Sequence, residues 1–317
     1  MTRSPSFSVI VPTYQRREMV CEAVRALCGL SYDGPIEIIV VVDGSTDGSA
    51  DALAKVDCAL PLRVIEEENR GQGAARNRGA AEATGEILLF LDDDMICEPD
   101  LVQQHARLHA EGADVVTGEI PIHENSSRGL VTDRLAKAAS YSRAGRGSAF
   151  EVYSGNLSIQ KAVFREIGGF DEDLRAGEDL ELGIRLIDRF DVRHNGAAIA
   201  RQMNLIGPTE HMKRARQLAA ADLQLMNKHP QITAELLTHR GAPAAGAMPA
   251  GFRLGRVPFL SSLAAAAASG LVEITQRSPL RSNRFISRFY FTARSGLYWS
   301  AFRTAAGKAI LRAQGHG

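Results

Sequence analysis

The chain predicts an α/β fold built on a mostly parallel sheet flanked by helices, and three observations carry that reading. Apolar, β-branched runs recur at Ser8 to Pro12, Ile36 to Val42 and Ile87 to Leu91, each too short for a membrane span and each lacking the polar alternation of a half-buried strand. Helical stretches fill the gaps, roughly Arg17 to Leu30, Ser49 to Lys55 and Gly73 to Ala83. Every run then ends on polar residues: Thr13-Tyr14-Gln15-Arg16, Asp43 with a turn behind it, and the triplet Asp92, Asp93 and Asp94. Strand and helix in alternation imply parallel pairing through right-handed crossovers, and ligands of such sheets sit beyond the carboxyl ends of the strands. Thr13, Asp43 and the triplet therefore share one edge although they are far apart in sequence.

Taken in order, the first strand closes on Pro12 and Thr13, so neither the G-x-G-x-x-G of a dinucleotide-binding sheet nor the G-x-x-x-x-G-K-[ST] of a P-loop is present. Cys21 and Cys28 share a face of the helix that follows. The second strand ends at Asp43 before Gly44-Ser45-Thr46-Asp47-Gly48, where an aspartate also has the plain role of a turn cap. A calcium loop is excluded there, because Ala54 stands where a bidentate Glu is required. Gly71 and Gly73 open the third helix and let backbone approach a ligand. Arg76 on that helix either reaches the ligand or lies on a solvated face. The third strand delivers the triplet, whose crowded hard oxygens suit Mg²⁺ or Mn²⁺ holding a phosphorylated substrate. In an extended chain Asp92 and Asp94 point to one side and Asp93 to the other, which makes Asp92 and Asp94 the working pair. Further on, His105 and His109 have charged neighbours and read as a solvated helix face. Glu178 and Asp179 precede the stripe Leu180, Ile184 and Ile187, a first-turn position where acids also oppose the helix dipole.

Composition adds an asymmetry. The 317 residues balance 37 basic against 37 acidic side chains, yet after Glu273 there is no acid, while Arg277, Arg281, Arg284, Arg288, Arg294, Arg303, Lys308 and Arg312 are interleaved with aromatics. Such a tail predicts helical docking on a membrane surface; with the remainder acidic and no nucleic-acid motif present, a nucleic-acid partner is the weaker reading. The alanine-rich stretch Val257 to Ile274 reads as packing or interfacial docking, since alanine contributes little to insertion. A small-residue linker separates a domain at 5–230 from the extension at 252–317, with 231–251 between them. The region 119–150, with Arg128, Arg134, Lys137, Arg143 and Arg146, predicts a loop that orders on the acceptor. No leader precedes the first strand, and Cys21, Cys28, Cys58 and Cys97 show no metal or CxxC spacing, which predicts free thiols in a cytoplasmic protein.

Five motifs in order carry a resemblance: SVIVPTYQR at Ser8–Arg16, VVDGSTDG at Val41–Gly48, NRGQGAARNR at Asn69–Arg78, the aspartate triplet, and GGFDE at Gly168–Glu172 followed by GEDLE at Gly177–Glu181. Together they span about residues 7 to 190 and resemble the family-two inverting glycosyltransferases of the GT-A fold, a Rossmann-like sheet. The tail beyond 220 lies outside the resemblance.

That resemblance implies transfer of a sugar from a nucleoside diphosphate donor, uridine based, to an acceptor hydroxyl with inversion and a divalent metal, Mn²⁺ or Mg²⁺. On the donor side it implies Pro12, Thr13, Tyr14, Arg16, Asp43, Arg76, Asp92 and Asp93, with Asp43 accepting from the base. Metal ligands would be Asp94, Asp92 and, downstream, His211. Asp179 would be the general base, supported by Glu178, with Ser154-Gly155-Asn156 walling the acceptor. The acceptor is a polysaccharide, a lipid-linked intermediate or a small molecule. A nucleotidyltransferase or hydrolase on a similar fold, or a non-catalytic binding module, are the alternatives.

Overall fold

Strand β1 (Phe7–Thr13) lies between β2 (Ile36–Asp43) and β4 (Ile87–Leu91), parallel to both, and β3 (Leu62–Glu67) continues the parallel set beyond β2. The register pairs Phe7 with Ile36 and Ile87, so the carboxyl ends of β1, β2 and β4 fall side by side. The computed structural model describes residues 3–124, 148–203, 207–240, 262–269 and 284–313. Helices α1 (Arg17–Leu27), α2 (Ser49–Leu53) and α3 (Gln72–Glu82) make the expected crossovers. Along β1, Val9 and Val11 enter one apolar layer with Val20, Val24 and Leu27 of α1, while Ile10 enters the other with Ala75 of α3. Burial on both faces is the reason these strands are continuously apolar; each fully buried Val or Leu contributes about 1.5–3 kcal/mol.

The second half of the sheet adds antiparallel pairs to the mostly parallel set. Its order is β3-β2-β1-β4-β7-β6-β8-β5, with β5 (Met95–Cys97), β6 (Val115–Glu119), β7 (Asn156–Gln160) and β8 (Val192–Gln202). β7 runs antiparallel to both β4 and β6, and β5 antiparallel to β8. Helix α4 (Leu101–Ala110) packs on this half, followed by α5 (Lys161–Glu166) and α6 (Glu178–Ile187). His105 and His109 are not solvated: His105 is fully buried, bonding Ser158 Oγ at 2.8 Å and Asn156 Oδ1 at 2.9 Å, and His109 reaches the same Ser158 at 2.8 Å. Polar residues on the buried strand β7 give these imidazoles partners that the local sequence does not reveal. The thiol expectation is also corrected, because Cys28, capping α1, and Cys58, in the loop after α2, form a disulfide with Cα atoms 5.1 Å apart. Packing of α1 against α2 brings them together, and Cys21 and Cys97 remain free and buried.

Two compact units result, one within 1–126 and 138–204, the other within 127–137 and 205–317. In the second unit α7 (Pro208–Lys228) packs through Met212, Ala215 and Ala219 on Tyr290, Leu297, Tyr298 and Trp299 of a long helix, Arg284–Ala313. A buried Asp222 ties the unit together, accepting from Arg240 at 2.7 Å and from the Tyr298 hydroxyl at 2.6 Å. Short helices at Thr233–His239 and 262–269 complete it. Among the described residues no helix is long and apolar enough to cross a membrane. Residues 125–147 of the acceptor loop, 241–251 of the linker, and the side chains of Arg277, Arg281, Arg284, Arg288, Lys308 and Arg312 lie outside the described residues.

Candidate active site

Because β4 stops at Leu91, the triplet enters a turn and strand alternation no longer governs it. Asp93 turns toward β1, accepting from Thr13 Oγ1 at 2.8 Å and Arg16 Nη1 at 2.8 Å, and Asp94 shares that nitrogen at 3.5 Å. Asp92 turns the other way, to Arg76 at 2.6 Å. Asp92 and Asp94, expected to work together, thus bond different arginines, while Asp92 still lies near enough to raise the pKa of Asp94, and Arg16 couples Asp93 to Asp94. Arg16 is placed by Gln15, whose backbone adopts the left-handed region at φ 54° while its N–H donates to Ser45 Oγ at 2.9 Å and its amide to Thr46 Oγ1 at 3.0 Å. Pro12 is buried within β1, whereas Tyr14 stands 51% exposed at the strand's end.

Asp43 is buried at the end of β2 and does more than cap its own turn. Its two oxygens accept from the backbone N–H groups of Arg70, at 2.7 Å, and Gly71, at 2.9 Å, fixing the loop that leads into α3. Each carboxylate oxygen retains a second lone pair for a ligand donor. Asn77 exchanges two 2.9 Å bonds with the backbone of Phe170, so the third motif is clasped to the fifth.

Arg76 is neither solvated nor turned toward open space. Only 1% of its side chain is exposed; Nη2 donates to Asp92, Nη1 to Glu178 Oε1 at 3.1 Å, and its Cζ lies 5.5 Å from the Phe170 ring centre. Glu178 and Asp179 begin α6, as helix N-terminal acids do, yet their side chains face this arginine across the chain. Asp179 keeps partial exposure while its Oδ1 is buried, and the Ser154 hydroxyl beside it acts as a hydrogen-bond donor that favours the ionised carboxylate. Burial first, and Glu178 second, push the Asp179 carboxyl up to about 7, against the pull of Arg76. Ser154 and Gly155 lie in the turn leading into β7, and Gly155 approaches closely: a Cβ on it would lie 2.9 Å from Asp92 Oδ2.

Burial and its two aspartate neighbours push Asp94 up to about 7 as well, and its Oδ1 is buried without a partner. A hard cation fits that orphaned oxygen. No cluster of three or more His, Cys, Asp or Glu donors is arranged around it among the described residues. Asp92 is engaged by Arg76, and His211 belongs to the second unit, where its Nδ1 pairs with the Tyr290 hydroxyl at 3.0 Å. Burial holds that imidazole down to about 3. Mg²⁺-type sites commonly use one or two carboxylates completed by substrate phosphates and water, which suits Asp94. Sequence reasoning missed Gln15 and Gln202, the latter 3.5 Å from Asp94, because both depend on long-range pairing rather than on a local pattern.

Residues 8–168, just over half of the chain, match the profile of glycosyl transferase family 2, and the chain belongs to that family. It is 25% identical over 279 residues to validoxylamine A glucosyltransferase of Streptomyces hygroscopicus subsp. limoneus, a match covering 75% of this chain and 60% of that enzyme. The chain thus spans about three fifths of that relative's length. Among solved structures it resembles a mannosyltransferase from Pyrobaculum calidifontis in complex with GDP-Man and Mn²⁺, with a TM-score of 0.59 at 20% identity over 94% of this chain and 88% of that one. Residues 1–349 of S. aureus TarS with UDP-GlcNAc give a TM-score of 0.53 at 19% identity, covering 96% and 92%. The fold is GT-A.

Proposed function

We propose that this chain is an inverting glycosyltransferase, moving a sugar from a nucleoside diphosphate donor to an acceptor hydroxyl in one metal-assisted displacement. The observation that carries the reading is Asp179, a largely buried carboxyl at the start of α6 with a pKa raised to about 7, near enough to Asp92 of the turn after β4 to feel its charge. A sugar hydroxyl is a weak nucleophile until a base within reach takes its proton, and a base works best with a pKa near the operating pH. In the proposed step the acceptor oxygen bonds the anomeric carbon as its proton passes to Asp179. The bond from that carbon to the diphosphate breaks, and its electron pair leaves with the diphosphate. A single attack opposite the leaving group inverts the centre. Asp94 would hold a divalent cation that supplies Lewis-acid stabilisation of charge on the leaving diphosphate. Thr13 and Arg16 fix Asp93, and Asp43 with Tyr14 offers a carboxylate and an exposed ring to a base such as uracil.

Donor identity is the finer part of the proposal. One structural relative was solved with GDP-Man and another with UDP-GlcNAc; the uridine reading here rests on Asp43. Calorimetric titration of UDP with and without Mn²⁺ tests the site: affinity should rise with Mn²⁺, and Asp94→Ala should weaken it about 10- to 100-fold. UDP binding that ignores both Mn²⁺ and Asp94→Ala would remove the metal from the account.

A further inference from the structure

We propose that Arg76 is a positioning residue for the general base rather than a donor ligand, a role that rests on reading Asp179 as that base. Three facts converge on the guanidinium. It is buried, with only 1% of its side chain exposed. Its two terminal nitrogens are divided between carboxylates of two separate segments, Nη2 to Asp92 at 2.6 Å and Nη1 to Glu178 at 3.1 Å, residues 16 and 102 positions away. Its orientation is fixed independently, by the Phe170 ring on one face and by Gln72 Oε1 at 3.4 Å.

A rigid planar fork with a nitrogen on each side sets the spacing of the groups it joins, which a lysine cannot do, since an ammonium is a point charge on a flexible stem. Arg76 therefore links the turn that follows β4, where the donor side is built, to the first turn of α6, where the base is carried. Asp92, Glu178 and Asp179 all lie close enough to act on its charge. With Glu178 bonded to the fork and Asp179 next along the helix, the orientation of the base follows from the position of the arginine. Helix α3 holds the arginine in place, its register locked against the sheet by Gly79, whose absent Cβ would lie 2.5 Å from Ile10 Cγ2.

The test compares turnover with binding in the full chain. The donor is whichever of UDP-glucose, UDP-GlcNAc and GDP-mannose gives the largest thermal stabilisation with Mn²⁺, and turnover is read as nucleoside diphosphate release. Arg76→Lys keeps the charge and loses the fork; kcat should fall about 100-fold, the scale of a misplaced reacting group, while the calorimetric Kd for the nucleoside diphosphate changes less than about threefold. Arg76→Lys with wild-type kcat, or a Kd that weakens in step with kcat, overturns the proposal. Should Arg76→Lys lose its folded spectrum, a cycle with Arg76→Gln and Glu178→Gln decides: a positioning pair gives a double variant no slower than the worse single, and multiplicative losses overturn the idea. Asp179→Asn separates this proposal from the reading beneath it. Full turnover in Asp179→Asn overturns both, whereas lost turnover there with an unaffected Arg76→Lys overturns the positioning role alone.

Discussion

Asp179 sets two opposite demands on one side chain. As a base it must be ionised, so turnover should climb with pH and reach half its plateau near pH 7, the value to which burial raises it. As a buried acid it opposes folding when ionised. Its folded pKa lies above the unfolded value of about 3.9, so its contribution to stability is complete below that value and is lost as pH rises through about 7. Asp179→Asn should therefore melt higher than wild type at pH 8, by about 2–4 °C for each kcal/mol of relieved desolvation, and nearly equal to it at pH 4. A thermal melt at both pH values checks this; equal shifts at both would mean that Asp179 is not held near neutrality. The placement of such residues was legible in sequence, since the triplet, Asp43 and Asp179 stand at strand ends and a helix start. Their pairings were not, because Arg76 finds its partners across the fold and the triplet lies in a turn where alternation has ended.

Element by element, what the sequence disclosed followed burial on both faces. β1, β2 and β4 are continuously apolar because α1 and α3 cover opposite sides, and that pattern reads directly. The antiparallel half did not read, since β7 pairs with β4 across some 70 intervening positions and carries Asn156 and Ser158 inward, breaking the apolar pattern. The same blind spot put His105 and His109 on a solvated face. Close approach of α3 to the sheet gives a sharper expectation. Gly79→Ala would drive a methyl group to 2.5 Å from Ile10 Cγ2 and 3.4 Å from Val41 Cγ2, both on rigid β-branched side chains in the core. Overpacking of this kind should lower stability by about 1–3 kcal/mol in urea titration, and turnover should fall with it because Arg76 rides one turn away on the same helix. Unchanged stability together with unchanged turnover would show that α3 is free to move.

On the scale of the whole molecule, the sequence conveyed the family and the catalytic half far better than the remainder. Motif order carried the family, whereas the unit boundary depends on α7 finding Tyr290 and Trp299 some 80 positions downstream. Cys28 and Cys58 carry the same lesson: spacing of 30 gives no local cue, and only the packing of α1 on α2 joins them. Closing a loop of that length restricts the unfolded chain, so Cys28→Ser with Cys58→Ser should cost about 2–4 kcal/mol of stability, and dithiothreitol should lower the melting temperature of wild type but not of the double variant. Identical melting of all samples with and without reductant would show that the bridge adds nothing.

In the proposed sugar-transferring centre, side chains at the carboxyl ends of β1, β2 and β4 bind the donor, and Asp179 of α6 acts on the acceptor. Turnover and donor affinity of Asp179→Asn, measured side by side on one preparation, test that division most directly. Diphosphate release should fall about 100- to 10,000-fold with donor affinity unchanged. Release at the wild-type rate, or donor affinity lost along with it, would contradict the assignment.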